Sequence, residues 1–224
     1  TGAGGQLGMS LQDYVPDGIE IISFKSDQFD ITSERKIEEI IKSRKPDAII
    51  NTAAYTAVDK AEVEEDRARE VNAVAVKNLA AICKKNDIFL VHISTDYVFD
   101  GAKKEPYTEE DETAPISVYG KSKLAGENAV RIEAPEKSTI IRTNVVYGNS
   151  DYNKMDFIRW VINALDEGKK LNIIDGQWCN PTWSKDIAKG VFKIIEKKNK
   201  GIFNFSGRGY YNRYDIAILI AEIF

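Results

Sequence analysis

The chain predicts an α/β fold, a doubly wound parallel sheet followed by a smaller C-terminal substrate-binding lobe. Three observations lead there. Short β-branched runs alternate with amphipathic stretches, the pattern of βαβ units. One run, IFLVHIS (88–94), is almost continuously apolar, as a strand covered on both faces must be. A glycine-rich turn, TGAGGQLG (1–8), comes just before the first helical stretch, where such a sheet carries its phosphate-binding loop.

In order, the loop leads into a helix ending near Tyr14, and IEIISF (19–24) reads as a strand. Ser33 to Arg44 reads as a helix with Ile37, Ile40 and Ile41 on one face, and DAIINTAA (47–54), bounded by Pro46, as the next apolar run. The pattern predicts one long helix from about Lys60 to Lys85, carrying Ala61, Val71, Val74, Leu79, Ile82 and Cys83. After strand 88–94 come a helix over roughly 118–131 and the strand STIIRT (138–143). Crossovers in such a sheet are right-handed, and ligands gather at the strands' carboxyl ends. From about residue 150 the elements are more loosely strung: helix 156–167, LNII (171–174), helix 184–198, IFNFS (202–206) and a final helix. This predicts a Rossmann-like dinucleotide-binding domain over 1–148 and a lobe over 149–224 laid on the sheet's carboxyl edge. The chain opens at Thr1 directly into glycines and stops at Phe224 inside an apolar helical pattern, so it reads as an excerpt of a longer protein.

Composition narrows the function classes. At 224 residues and 43% hydrophobic the chain can bury a full core. A net charge of −4 with mixed signs offers no electrostatic case for nucleic acid or an acidic membrane surface, and no apolar run approaches the roughly 18 residues of a membrane span. Cys83 and Cys179 are far apart and lack a CxxC context, so they read as buried thiols of a cytoplasmic protein rather than a disulfide or a zinc site. With His92 the sole histidine, acid–base chemistry must rest on other groups.

Two segments supply them, STDYVFDG (94–101) and YGKSKLAGE (119–127). Tyr119 and Lys123 stand four residues apart, so on a helix they share a face. A neighbouring ammonium favours the phenolate and would lower the tyrosine pKa toward the working range, making Tyr119 a general acid for ketone reduction. Thr95 and Asp96 follow a buried strand, where the hydroxyl can hold a substrate carbonyl. Asp96 reads either as a group that orients this hydroxyl or bonds substrate, or as an Asx-turn residue. Gly2, Gly5 and Gly8 would let backbone N–H groups approach a pyrophosphate. Asp30, in FDIT, could accept from an adenine amino group or simply cap a helix. Lys25 and Ser26 stand where an acid gripping a ribose 2′-hydroxyl is expected; Lys25 could meet a 2′-phosphate, and the cofactor is read as NADPH or NADH.

With NTAAYTAVDKAE (51–62) and RTNVVYG (142–148), these motifs resemble the extended short-chain dehydrogenase/reductase family, over essentially the whole chain. Within it they are most similar to the branch reducing the C4 ketone of dTDP-4-dehydro-6-deoxy-L-mannose to dTDP-L-rhamnose. The resemblance implies an NAD(P)H-dependent oxidoreductase with a dTDP-sugar substrate and a catalytic set of Thr95, Tyr119 and Lys123 beside Asp96. Hydride would come from the nicotinamide and the proton from Tyr119, while Lys123 also holds the nicotinamide ribose. It puts Gly5, Gln6 and Leu7 on the cofactor phosphates, Asp30 and Ile31 near adenine, and Thr52, Ala53 and Ala54 along the cofactor. Asn72 would buttress the site from its helix, and Tyr97 would stand beside the substrate. Val145 stands where relatives often carry an aromatic near the sugar, Asn180-Pro181-Thr182 resembles a substrate-side turn, and Trp178 and Trp183 are either sugar platforms or structural aromatics. The first strand would lie upstream of Thr1, with further chain beyond Phe224. A homodimer is expected; Ser10 and Asp13 do not match the glutamates with which some members bridge a dimer through Mg²⁺, so no metal is expected. The alternatives are a nucleotide-sugar epimerase of the same family, or a non-catalytic regulatory subunit resembling the methionine adenosyltransferase β subunit. A 4,6-dehydratase typically has Glu after Thr-Asp, where this chain has Tyr97.

Overall fold

The computed structural model describes residues 1–148 and 155–224. Helix α1 (Gln6–Asp13) leaves the glycine loop with Gly5 as its N-cap. Segment 19–24 is extended but joins no ladder, correcting the expected strand. Its link toward the sheet is one bond, from Ala3 N–H to the Phe24 carbonyl at 3.0 Å. Residues 1–3 stand between it and β1 (Ala48–Asn51), with the Thr1 amine donating to the Ile50 carbonyl at 2.8 Å. The backbone bonds over residues 1–3 are too few to make a ladder with either neighbour. The side chains alternate as a strand's would, Ile19 and Ile21 into one core and Phe24 into the other.

Helix α2 (Glu34–Arg44) begins where Ser33 accepts from Lys36 N–H and ends at Lys45, which is left-handed. The long helix expected over 60–85 is broken. It comprises α3 (Val58–Ala61), α4 (Glu65–Arg69), a π-helical turn (Glu70–Val74) and α5 (Ala75–Lys85). The reverse turn in which Val63 N–H bonds the Lys60 carbonyl makes the first break. The π turn lies at Asn72, whose buried side chain is tied to two other elements (below) and holds the helix out of register there.

Strand β2 (Phe89–Thr95) is buried along nearly its whole length and feeds a 3₁₀ turn (Asp96–Val98). Then follow α6 (Val118–Glu133), capped by Ser117, β3 (Ser138–Thr143) and the short β4 (Val146–Tyr147). Beyond residue 154 come α7 (Phe157–Asp166), β5 (Trp178–Cys179), β6 (Thr182–Trp183), α8 (Ser184–Lys197), β7 (Gly201–Asn204), β8 (Tyr211–Asn212) and α9 (Arg213–Ile223). The run 171–174 forms no strand; Leu171 and Ile173 simply turn inward against α7 and α9.

The main sheet is β1-β2-β3-β7, parallel throughout. One face is packed by α2, α5 and α6, with Ile37, Leu79, Leu90, Val130 and Ile140 in that core. The other is packed by α1 and α8, with Leu7, Leu11, Val91, Ile141, Ile187 and Val191. The doubly wound expectation is therefore met. A third core joins Val161 of α7, Cys179 of β5 and Ile216 and Ile220 of α9. The division expected at residue 148 does not coincide with this packing, because α8 and β7 come after it and complete the main sheet. No described helix is long and apolar enough to cross a membrane.

Candidate active site

The carboxyl ends of β1, β2 and β3 form one edge, and the residues singled out in the sequence gather along it. Gly2 has φ +72°, and a Cβ there would lie 2.6 Å from the backbone nitrogen of Ala53 and from the Thr52 hydroxyl. Gly8 faces the loop's own backbone, and a Cβ on it would lie 2.8 Å from Ala3 Cα. Thr52 Oγ1 donates to the Thr1 carbonyl at 2.7 Å. Gly5 caps α1 without a side-chain acceptor, so first-turn N–H groups are open to an anion. A cradle that only glycine can line, at a helix N-terminus, fits a dinucleotide's pyrophosphate.

The side chains of the other cofactor candidates are engaged within the protein or only partly buried. The Leu7 side chain is in the core beneath α1 and α8, and Ile31 in the opposite core. Gln6 donates its amide to the Gly148 carbonyl at 2.6 Å and to Asp156 at 3.0 Å, tying α1 to the region around α7. Asp30 accepts from Thr32 N–H (2.9 Å) and Thr32 Oγ1 (2.8 Å), the turn role. These bonds hold its carboxyl below the usual range. Ala53 packs on the core beside β1 and Ala54 is half-buried. The Lys25 stem runs past the loop, its Cγ 3.7 Å from where a Cβ on Gly4 would stand.

At the end of β2, Thr95 donates its hydroxyl to Asp96 at 3.1 Å and accepts from Tyr97 N–H at 3.2 Å. Asp96 also accepts from Asn144 Nδ2 at 3.1 Å. Burial pushes its carboxyl up from the usual range, while the bonds from Asn144 and Thr95 oppose that. Tyr119, in the first turn of α6, stands edge-on to Tyr97 with ring centroids 5.6 Å apart. Its hydroxyl is within hydrogen-bonding reach of Thr95, yet burial pushes it up to about 12. This corrects the expectation of a phenol lowered by Lys123. The ammonium is occupied elsewhere, donating to the Ile93 carbonyl at 2.7 Å, and burial lowers Lys123 itself to about 8.

Asn72, on the π turn, joins the Tyr55 backbone to α6. Its Oδ1 accepts from Tyr55 N–H at 2.9 Å and its Nδ2 donates to the Tyr55 carbonyl and to Ser122 Oγ, both at 3.0 Å. Ser122 in turn donates to the Tyr119 carbonyl at 2.7 Å. Gly126 allows this approach, since a Cβ there would collide with the Asn72 carbonyl.

Val145 is left-handed at φ +38° and packs on the third core. A β-branched residue in that conformation is a genuine outlier. Across the edge, Gln177 Nε2 reaches the Tyr97 hydroxyl at 3.3 Å, and Trp178 next to it stacks on Tyr210 at 4.8 Å. Asn180 and Thr182 are bonded to the 207–209 loop, a structural role for that turn. Trp183 is set apart, with the ammonium groups of Lys185 and Lys189 over its ring. A groove of about 630 Å³ beside it is lined by Tyr14, Lys193 and Arg208 and holds none of the catalytic candidates. Ser10 is committed to Ser184 Oγ at 2.7 Å, joining α1 to α8.

Sequence reasoning missed two residues. Arg142 of β3 and Glu127 of α6 form a buried ion pair, with Nη2 to Oε2 at 2.7 Å and Nε to Oε1 at 3.0 Å. The signal was present: an arginine inside a strand expected to be covered on both faces requires a counter-charge, and Glu127 lies one helical turn beyond Lys123. His92, also buried, accepts at Nδ1 from Asn51 at 3.1 Å; burial and Lys123 keep the ring neutral.

Known proteins resemble this chain over nearly its whole length. A dTDP-4-dehydrorhamnose reductase of Aggregatibacter actinomycetemcomitans is 39% identical over 230 residues, covering 99% of this chain and 77% of that protein. A dTDP-4-keto-6-deoxy-D-glucose reductase of Streptomyces niveus is 36% identical over 218 residues, covering 97% and 75%. Among solved structures, the Bacillus anthracis dTDP-4-dehydrorhamnose reductase in complex with NADP superposes with a TM-score of 0.94 at 34% identity, over 99% of this chain and 78% of that one. The family model described as the RmlD substrate binding domain matches residues 1–224, and the chain belongs to that family.

Proposed function

We propose that the protein reduces the C4 ketone of dTDP-4-dehydro-6-deoxy-L-mannose to dTDP-L-rhamnose with NADPH or NADH. The observation carrying this reading is the convergence of Thr95, Tyr119 and Lys123 at the carboxyl end of β2, on the same sheet edge as the glycine cradle. When bound, the dihydronicotinamide supplies the hydride. Gly2, Gly5 and the first-turn N–H groups of α1 would hold its phosphates, with Thr52, Ala53 and Ala54 alongside. Lys123 is the group for its ribose.

The proton step follows from burial. A phenol pushed up to about 12 stays protonated at neutral pH, so Tyr119 keeps its proton until a stronger base forms beside it. The alkoxide left by hydride addition is such a base, and the proton then moves from Tyr119 Oη to O4 of the sugar. Thr95 has one hydroxyl proton. It rests on Asp96 here, and swinging it to the substrate carbonyl would fix the ketone for attack. Asp96 and Asn144 would steady that switch, with Tyr97 and Val145 bordering the sugar.

The domain reading becomes a dinucleotide-binding unit of 1–148 together with α8 and β7, with α7, β5, β8 and α9 forming the substrate lobe. Lys25, its stem along the loop, favours NADPH. A cytoplasmic setting is the one we infer, since Cys83 and Cys179 are both free and buried; light scattering tests whether the protein is also a homodimer. The deciding experiment mixes the full-length protein with either nicotinamide and the dTDP-4-keto sugar and follows loss of nicotinamide absorbance. Stoichiometric oxidation with dTDP-rhamnose formed supports the reading. Cofactor binding without oxidation, on this sugar and on dTDP-4-keto-6-deoxy-D-glucose alike, overturns it.

A further inference from the structure

Lys123 poses an electrostatic problem that its own hydrogen bond does not solve. The side chain is 2% exposed, and its contact with the Ile93 carbonyl gives an ammonium a dipole but no opposite charge. Burial alone would strip its proton near neutral pH. The groups around it are few. On α6, Tyr119 and Glu127 stand one turn to either side. From β2 comes His92, held neutral, and from the turn after β2 comes Asp96, beside Tyr119. From β3 comes Arg142, bonded to Glu127. The helical segments 58–85 on the other sides of α6 keep every charged side chain exposed, and Cys83 among them is a buried neutral thiol. Glu127 is therefore the carboxylate on the buried side of α6. It raises Lys123 against the effect of burial.

Arg142 makes that carboxylate usable. Two nitrogens of its guanidinium grip both oxygens of Glu127, and Phe99 covers the guanidinium carbon at 5.0 Å. A lone buried Glu would protonate; one held by a fork of charge-assisted bonds stays ionised. We propose that Glu127, fixed by Arg142, is a positioning residue for charge: the counter-ion that keeps the Lys123 ammonium protonated in a dry site without touching it. The absence of a direct Lys123–Glu127 bond leaves the ammonium's donors for Ile93 and for a ligand.

The role assumes the reductase reading only where turnover is the readout, so the test carries a second readout. Two variants of the full-length protein are compared with wild type: Glu127→Gln, which keeps shape and removes charge, and Glu127→Gln/Arg142→Met, which removes the whole pair and so leaves no orphaned partner. The alkaline limb of kcat/KM should move down by roughly one pH unit in Glu127→Gln and by less, in the same direction, in the double variant, which loses a positive charge as well. From a starting value of about 8 for Lys123, that is about a fivefold loss near pH 8 and little loss near pH 6. The same shift should appear in the midpoint of Lys123 acetylation by pulsed acetic anhydride, read by mass spectrometry, which needs no turnover. An unmoved midpoint, or a loss equal at every pH, overturns the proposal and leaves the pair a structural one. Absence of turnover in wild type would sink the reductase reading alone, and the labelling midpoint would still decide this one.

Discussion

The two ends of the candidate site are made by opposite means. Around Lys123 the fold buries charge: Lys123, Glu127 and Arg142 are 2%, 1% and 4% exposed. Around Gly2 and Gly8 it removes side chains instead, and the acid expected near adenine, Asp30, lies in solvent and serves a turn. Burying charge changes protonation and costs stability. Removing side chains changes reach and costs only backbone freedom. The catalytic end should therefore respond to substitution in rate and in pH dependence, and the loop end in affinity.

The largest effect that would break this contrast concerns Tyr119. Tyr119→Phe should lower kcat by about 100- to 10,000-fold while the cofactor Kd stays within about twofold, by stopped-flow turnover and fluorescence titration. Loss of cofactor affinity instead would mean the two ends are not separable.

Gly8 offers the reverse result. A Cβ there meets backbone, Ala3 Cα at 2.8 Å, which cannot swing aside as a flexible side chain would. Gly8→Ala should weaken cofactor binding about tenfold or more and cost about 1–3 kcal/mol in urea unfolding. Turnover at saturating cofactor should change far less than Kd.

The difference between the ends also explains what was legible in the chain. Tyr119, Lys123, Thr95 and the glycines announce themselves because local spacing fixes their relation: a helical turn, a strand end, a loop. The outer strands were less legible. Segment 19–24 alternates like a strand but lacks a pairing neighbour, and β7, read as part of the lobe, joins β3 (Ile141 opposite Phe203). Pairing is a non-local fact that periodicity does not carry. The π turn in the 60–85 helix was hidden for a similar reason, because the bonds to Asn72 come from Tyr55 and Ser122. The Tyr119 expectation failed because the Lys123 ammonium turns to the Ile93 carbonyl while burial raises the phenol.

Lys123 sharpens the contrast in the stability direction. Its folded pKa of about 8 lies below the ordinary lysine value of 10.5. Below pH 8 the ammonium is charged in both states, and the native state bears the desolvation. Between pH 8 and 10.5 the unfolded chain binds more protons than the native one, so this group's contribution to stability rises with pH. Lys123→Met should abolish turnover yet gain on the order of 2 kcal/mol of stability relative to wild type at pH 7. The gain should shrink by pH 9.5, as judged by urea denaturation at both pH values. A variant less stable than wild type at pH 7 would mean the bond to Ile93 outweighs the burial of charge.

The smallest effect belongs to Asp30, where the loop end is most exposed. Its carboxylate already has two donors, Thr32 N–H and Thr32 Oγ1, and both come from its own turn. An adenine amino group would have to share an acceptor that is solvated and already engaged, so its net worth is small. Asp30→Asn keeps an oxygen for the turn and removes only the charge. Cofactor Kd should change by less than about threefold, and the unfolding midpoint should hardly move. A Kd raised tenfold or more would show that this loop reads its ligand electrostatically after all, and would erase the distinction between the two ends.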